Sequence, residues 1–193
     1  MEKCAPVKLV VFDFDGTIAN LDVDWNSVKK ELSRHFAKVY SYDSQFAPLY
    51  KELDRASLAL GHQARRSAIR IIERYETQAA QDPKPLPDII ELIKYLRNRG
   101  IILAIFSSTS RRAVLQSLRR LGVSHLFKSV VALDDVTRSK PDPEGLNRIM
   151  LGLGFDRSET LFIGDKPSDL EAGKRAGICV ALAANMQNFR SLS

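Results

Sequence analysis

The sequence predicts an α/β fold, a parallel sheet with helices on both faces and an all-helical insert after the first strand. Three observations carry this. Apolar runs recur as "VKLVVF", "IILAIF", "SVVAL", "TLFIG" and "ICVAL". They are apolar at consecutive positions rather than alternating, as strands covered on both faces are. Segments of helical period separate the later runs, which is the pattern of a parallel sheet with crossover helices. From about Leu21 to Gln81 no convincing strand signal occurs.

Taken in order, "VKLVVF" ends in Asp13, Asp15, Gly16 and Thr17. "WNSVKKELSRHF" then places Trp25, Val28, Leu32 and Phe36 on one helical face. "FAPLYKELDRASLAL" and "RRSAIRIIERYETQAA" also read as helices, and "QDPKPLP" reads as a rigid proline-rich linker back. "LPDIIELIKYLRNRG" puts Ile89, Ile90, Ile93 and Leu96 on one face and Gly100 at the stop. "SRRAVLQSLRRLG" repeats the pattern through Val114, Leu118 and Leu121, with Gly122 ending it. "PSDLEAGKRAG" is a further helix, with Ser168 as the expected N-cap and Gly177 as the stop. The boundaries are a core over 1–20 and 83–193 and a helical insert over 21–82. An insert rooted beside the acidic end of the first strand is placed as a lid.

Composition excludes some classes. The chain has 193 residues, 45% hydrophobic and 27% charged, which suits one soluble core with a modest insert. No apolar run approaches the roughly 18–20 residues of a membrane helix. The N-terminal "MEKCAPVKLVVFDFDG" lacks a signal-peptide layout, so a cytoplasmic location and no membrane partner are expected. Cys4 and Cys179 match no metal-ligand spacing and are expected as reduced thiols. The net charge of +6 comes from scattered basic residues without interleaved aromatics, so no nucleic acid is expected. His62, Arg65 and Arg66 open a helix of the insert and are candidate substrate contacts, but Arg66, Arg70 and Arg74 also form a stripe at helical spacing that reads as a solvated face.

The chemistry gathers at strand ends. Open parallel sheets bind ligands beyond the C-terminal ends of their strands. Those ends carry Asp13, Asp15 and Thr17; Ser107, Ser108, Thr109 and Ser110; Asp134 and Asp135 with Lys140 in "SKPDP"; and Asp165 with Asp169. Asp134 and Asp135 read as loop acids. Carboxylates distant in sequence but sharing one rim suit a hard cation such as Mg²⁺. Hydroxyls and N–H groups at strand-to-helix turns suit a phosphate, and a lysine offers it a compact positive charge. A cation, a phosphate and a carboxylate nucleophile point to phosphoryl transfer through an aspartyl phosphate.

"DFDGT", the strand-ending Ser107, Lys140 in "KPDP" and "GDKPSD" together resemble the four ordered motifs of the haloacid dehalogenase-like hydrolases. The helical insert between the first two resembles the phosphoglycolate phosphatase-like subgroup. The resemblance covers the chain and implies a Rossmann-like core, a helical cap and Mg²⁺ as cofactor. It implies that Asp13 is the nucleophile, and that Asp15 is the general acid/base and offers its carbonyl to the metal. It implies that Gly16, Thr17, Ser107, Ser108 and Lys140 bind substrate, that Asp13, Asp15 and Asp165 hold the metal, and that Asp169 supports the metal's waters or Lys140. The acid at Asp15 argues against carbon–halogen cleavage, because halide leaves without a proton.

The expected activity is hydrolysis of a small phosphorylated metabolite by a monomer or homodimer. A phosphomutase, a phosphatase acting on a nucleotide or phosphoprotein, and a catalytically silent binding module are the alternatives. Lys166 and Pro167 depart from the family pattern, and Lys166 is expected to pair with Asp165, reach substrate or lie exposed.

Overall fold

The computed structural model describes residues 6–186; Cys4 and the end of the tail lie outside them. The chain runs β1 (Leu9–Phe12), β2 (Ala19–Asn20), α1 (Trp25–Tyr40), α2 (Leu49–Leu60), α3 (His62–Ala79) and β3 (Lys84–Pro85). It continues through α4 (Pro87–Asn98), β4 (Ile102–Phe106), α5 (Arg111–Arg120), β5 (Ser129–Val131), α6 (Glu144–Leu153), β6 (Thr160–Gly164), α7 (Pro167–Ala176) and β7 (Cys179–Leu182). Strands β5-β4-β1-β6-β7 form one parallel sheet with β1 at its centre. The fold is the α/β, Rossmann-like architecture that the run of strands and helices predicts.

Both faces of the sheet are dry. Val10, Phe12, Leu103 and Ile105 belong to one buried cluster, while Leu9, Val11, Ala104 and Phe106 belong to another. Alternate residues of each strand point to opposite faces, so continuous apolar runs are what two covered faces require. The first cluster continues into the insert through Val28, Leu32, Phe36, Leu53, Ala64, Ala68 and Ile72. Apolar side chains of α1, α2 and α3 therefore share one core with that face of the sheet. Trp25 packs against the same cluster.

Three local differences from expectation have physical causes. The segment read as a linker pairs Lys84–Pro85 antiparallel with Ala19–Asn20, so the two passages between sheet and insert form a small ribbon. Two-residue strands carry too little pattern to be read. Helix α6 was not expected, because Gly145 and Gly152 depress helix propensity; burial of Leu146, Ile149 and Met150 forms it. A Cβ on Gly145 would lie 2.1 Å from the Phe106 ring, so the glycine permits α6 to pack close to β4. Lastly, α7 begins with Lys166 at the N-cap and Pro167 in its first turn, two residues ahead of the expected N-cap Ser168. The carboxylate of Asp169 accepts the Lys166 N–H at 2.9 Å and serves the cap from inside the helix.

Candidate active site

The ends of β1, β4, β5 and β6 form one rim because their registers are level. Phe12 lies between Ile105 and Ile163. Just beyond, the Asp13 N–H donates to Ile163 O at 2.8 Å, and the Ser107 N–H donates to Val131 O at 3.0 Å. The turn after β1 closes with the N–H groups of Thr17, Ile18 and Ala19 on Phe14 O. Gly16 has φ +92°, and a Cβ there would lie 2.4 Å from Asp165 Oδ2. The turn thus reaches the end of β6 only because residue 16 has no side chain. The Thr17 hydroxyl donates to Asp165 Oδ1 at 3.0 Å. Gly16 and Thr17, expected among the substrate contacts, are placed against Asp165 and are not among the residues lining the cavity.

Lys140 is the pivot of the site. Its Nζ lies 2.8 Å from Asp13 Oδ1 and 2.6 Å from Asp169 Oδ1, and both side chains it meets are buried. It also sits 5.4 Å from the Phe106 ring centroid and 5.7 Å from that of Phe162, within cation–π range. Burial works to lower its pKa, but the Asp13 and Asp169 carboxylates outweigh that and hold it above its ordinary value. The ammonium therefore stays charged at neutral pH, and its charge offsets the cost of burying the Asp13 carboxylate.

Asp15 is half-buried. Its Oδ1 accepts the Leu21 N–H at 3.0 Å, at the entry to the insert. The Lys166 ammonium donates to the Asp15 carbonyl at 2.9 Å and lies 3.5 Å from its Oδ2. The partner of Lys166 is thus Asp15 and not Asp165, because the lysine stands at the N-cap and faces the β1 turn.

Asp13, Asp165 and Asp169 each present an oxygen within 4.8 Å of the others, a set that could hold a metal ion. Asp169 is already committed: Oδ1 meets Lys140 and Oδ2 accepts the N–H groups of Asp165 and Lys166. Asp13 and Asp165 are the freer donors. Four carboxylates face two ammonium groups here, and an all-oxygen set with surplus negative charge fits a hard divalent cation.

A cavity of about 250 Å³ opens over Asp13 and Asp15. Ser107, Ser108, Thr109, Lys140, Lys166 and Ser168 line it from the sheet side, and Pro48, Leu49, Tyr50 and Lys51 from the insert. The Ser107 hydroxyl accepts the Thr109 N–H at 3.1 Å and so shapes the loop. Burial and the charges of Glu76, Asp15 and Asp13 hold the Tyr50 phenol well above its ordinary pKa, so it remains a donor. Asp134 and Asp135 are away from this cavity: Asp134 accepts the Arg111 N–H at 2.7 Å and Asp135 pairs with the Arg111 guanidinium at 2.6 Å. They are loop acids, as their turn setting suggests. Arg66, Arg70 and Arg74 are exposed.

Two buried polar residues of the insert matter here: Arg65, which the sequence offered with His62 and Arg66 as a lid-helix contact to substrate but which does not line the cavity, and Glu76, which the sequence did not single out. Arg65 and Glu76 lie in the buried phase of α3 with Ala68, Ile69 and Ile72. A charge at i, i+4 or i+7 from core positions was the available signal. Arg65 meets Asp54 at 2.6 Å, and Glu76 accepts the Ser110 N–H at 2.8 Å. Asp54 in turn accepts from Ser139.

A central strand that ends in a carboxylate paired to a buried lysine, with further acids just beyond the neighbouring strand, makes a charged site on a Rossmann-like sheet, the setting of a hydrolase. The chain belongs to the haloacid dehalogenase-like hydrolase family, whose model matches residues 10–183. It is 30% identical over 198 aligned residues to a phosphoglycolate phosphatase of Pseudomonas syringae, covering 96% of this chain and 73% of that protein. It is 28% identical to the pyrophosphatase PpaX of Oceanobacillus iheyensis, covering 92% of this chain and 84% of the relative. Among solved structures, CbbY of Rhodobacter sphaeroides, crystallised with phosphate, superposes with a TM-score of 0.62 at 20% identity, covering 91% and 85% of the two chains. The chain is an enzyme of the phosphatase class. Among the described residues, no helix is long and apolar enough to cross a membrane.

Proposed function

We propose that this enzyme is a Mg²⁺-dependent phosphatase that hydrolyses a small phosphate monoester through an aspartyl phosphate on Asp13, with residues 21–82 acting as a cap over a core of 1–20 and 83–193. The observation that carries it is the Lys140–Asp13 contact at 2.8 Å under a cavity walled by both parts of the chain.

An Asp13 carboxylate oxygen attacks phosphorus while the bond to the leaving oxygen breaks. Asp15 gives that oxygen its proton, and the alcohol departs. Asp15 then takes a proton from water as the water oxygen attacks the aspartyl phosphate, releasing phosphate and restoring the Asp13 carboxylate and the protonated Asp15 carboxyl. Lys140 and the Ser107 hydroxyl meet the phosphoryl oxygens. Asp13, Asp165 and the Asp15 carbonyl would hold Mg²⁺, which when bound offsets phosphate charge. Asp169 holds Lys140 in place.

The cavity of about 250 Å³ lies below the usual range for drug-sized ligands, which favours a small metabolite. Phosphoglycolate is the first substrate to assay, given the relatives so named. Pyrophosphate is the second reading, favoured by relatives named for it. A panel of phosphorylated metabolites and pyrophosphate, scored by kcat/KM, separates the two. Asp13→Asn with a generic aryl phosphate and Mg²⁺ tests the mechanism, and undiminished turnover overturns it. EDTA is expected to abolish turnover, and added Mg²⁺ to restore it.

A further inference from the structure

The insert grips the segment that carries Lys140. Asp54, on α2, accepts the Ser139 N–H at 2.9 Å through Oδ2 and the Ser139 hydroxyl at 2.9 Å through Oδ1. Arg65, on α3, donates to Asp54 Oδ1 at 2.6 Å, and its other terminal nitrogen lies 3.5 Å from the Ser139 hydroxyl. Arg65 is 5% exposed and Ser139 is 4% exposed. The Asp54 side chain is itself 29% exposed, so the clasp is partly screened on its side, but charge-assisted bonds are the strong kind, and truncating Asp54 strands a buried guanidinium.

The position matters more than the bonds. Ser139 directly precedes Lys140, whose Nζ reaches Asp13. Asp54 lies one helical turn beyond Tyr50 and Lys51, which wall the cavity. The tip of Lys140 is fixed by Asp13, Asp169 and Phe106 O. Its main chain, by contrast, is met from the insert one residue earlier. A single contact thus ties together the cavity wall and the base of the lysine.

We propose that Asp54 and Arg65 form a clasp on Ser139 that locks the insert over the site and sets the main chain of Lys140. They are positioning residues, since neither side chain lines the cavity. This inference rests on the phosphatase reading for its effect on turnover, but the clasp itself is open to a separate measurement. Loss of the clasp should act on kcat, because phosphate contacts remain while the reacting groups lose their fixed arrangement.

The test compares wild type with Asp54→Ala, Ser139→Ala, Ser139→Thr and the cap-surface control Asp43→Ala, using an aryl phosphate with Mg²⁺. Asp54→Ala is expected to lower kcat about tenfold and to change KM by no more than about threefold. Ser139→Ala, which removes only the hydroxyl, is expected to lower kcat about threefold, and Ser139→Thr to restore it. Asp43→Ala should match wild type. Exchange of the Ser139 amide proton, followed by NMR without substrate, should quicken at least about tenfold in Asp54→Ala while the thermal transition stays cooperative. Unchanged kcat in both Asp54→Ala and Ser139→Ala overturns the proposal, as does equal amide exchange in wild type and Asp54→Ala. If Asp54→Ala does not fold, Ser139→Ala against Ser139→Thr decides. A wild type inactive on every phosphate ester, with the amide effect intact, overturns the phosphatase reading and leaves the clasp standing.

Discussion

Glu76, deep in α3, accepts the backbone N–H of Ser110 at 2.8 Å, so a carboxyl of the insert meets the start of α5 just past Ser107. Its other oxygen has no hydrogen-bond partner among the described residues. A protonated carboxyl suits that half-satisfied setting. Burial is the main cause that raises its pKa to about 8; the Ser110 bonds oppose the shift and Asp134 and Asp15 add to it.

The folded protein therefore holds this proton more tightly than the unfolded chain, whose carboxyl titrates near 4.5. The stability contributed by neutral Glu76 is present at low pH and is lost as pH rises from 4.5 through about 8. Glu76→Gln keeps an acceptor and does not titrate. The stability of wild type relative to Glu76→Gln is expected to fall by a few kcal/mol, in order of magnitude, across that window. Urea unfolding at a series of pH values measures it, and parallel curves would refute the assignment.

Lys140 holds two buried carboxylates at 2.8 and 2.6 Å. Lys140→Met keeps the bulk and removes the charge. Two carboxylates then face each other without compensation. Turnover is expected to fall at least about a hundredfold, and unfolding free energy by about 3 kcal/mol. Stopped assays and denaturant titration check the two effects separately.

Gly16→Ala tests the close approach of the turn to Asp165. The left-handed backbone at φ +92° costs about 1–2 kcal/mol for a residue with a Cβ. The new methyl would also stand 2.4 Å from Asp165 Oδ2 and must push that carboxylate away. The apparent affinity for activating Mg²⁺ is expected to weaken about tenfold or more, as disturbed ligand positioning does. A metal titration of turnover reads it, and wild-type affinity would show that Asp165 tolerates the move.

Tyr50 is the insert's aromatic wall on the cavity. Tyr50→Phe removes only the hydroxyl. If that donor meets substrate oxygen, kcat/KM falls about fivefold with the melting temperature unchanged. Steady-state kinetics with the preferred ester decides, and equal kcat/KM would assign Tyr50 to packing alone.

Much of this is legible in the sequence. The run "VKLVVFDFDGT" contains both the central strand and its acids, because a strand buried on both faces must be apolar throughout and must end where polarity begins. Ser107, Lys140 and Asp165 were legible for the same reason, each at the end of such a run or shortly after one. The ribbon of β2 and β3 was not legible, since two residues cannot show a period. Helix α6 was hidden by its glycines, and the partner of Lys166 by its distance from Asp15 along the chain.

The sequence by itself determined the strands, most of the helices between them and the residue types at the strand ends, because periodicity and strand ends are local properties, while the order β5-β4-β1-β6-β7 is set by pairing between distant segments. Only the tertiary structure decided which charges meet. Lys140 could have been a surface lysine, and Arg65 and Glu76 two more charges on a helix. Burial beside specific partners turned the first into the counter-ion of Asp13 and tied the others to Asp54 and Ser110. Such pairings join residues far apart in sequence, and their strength comes from the exclusion of water, which only the packed chain provides.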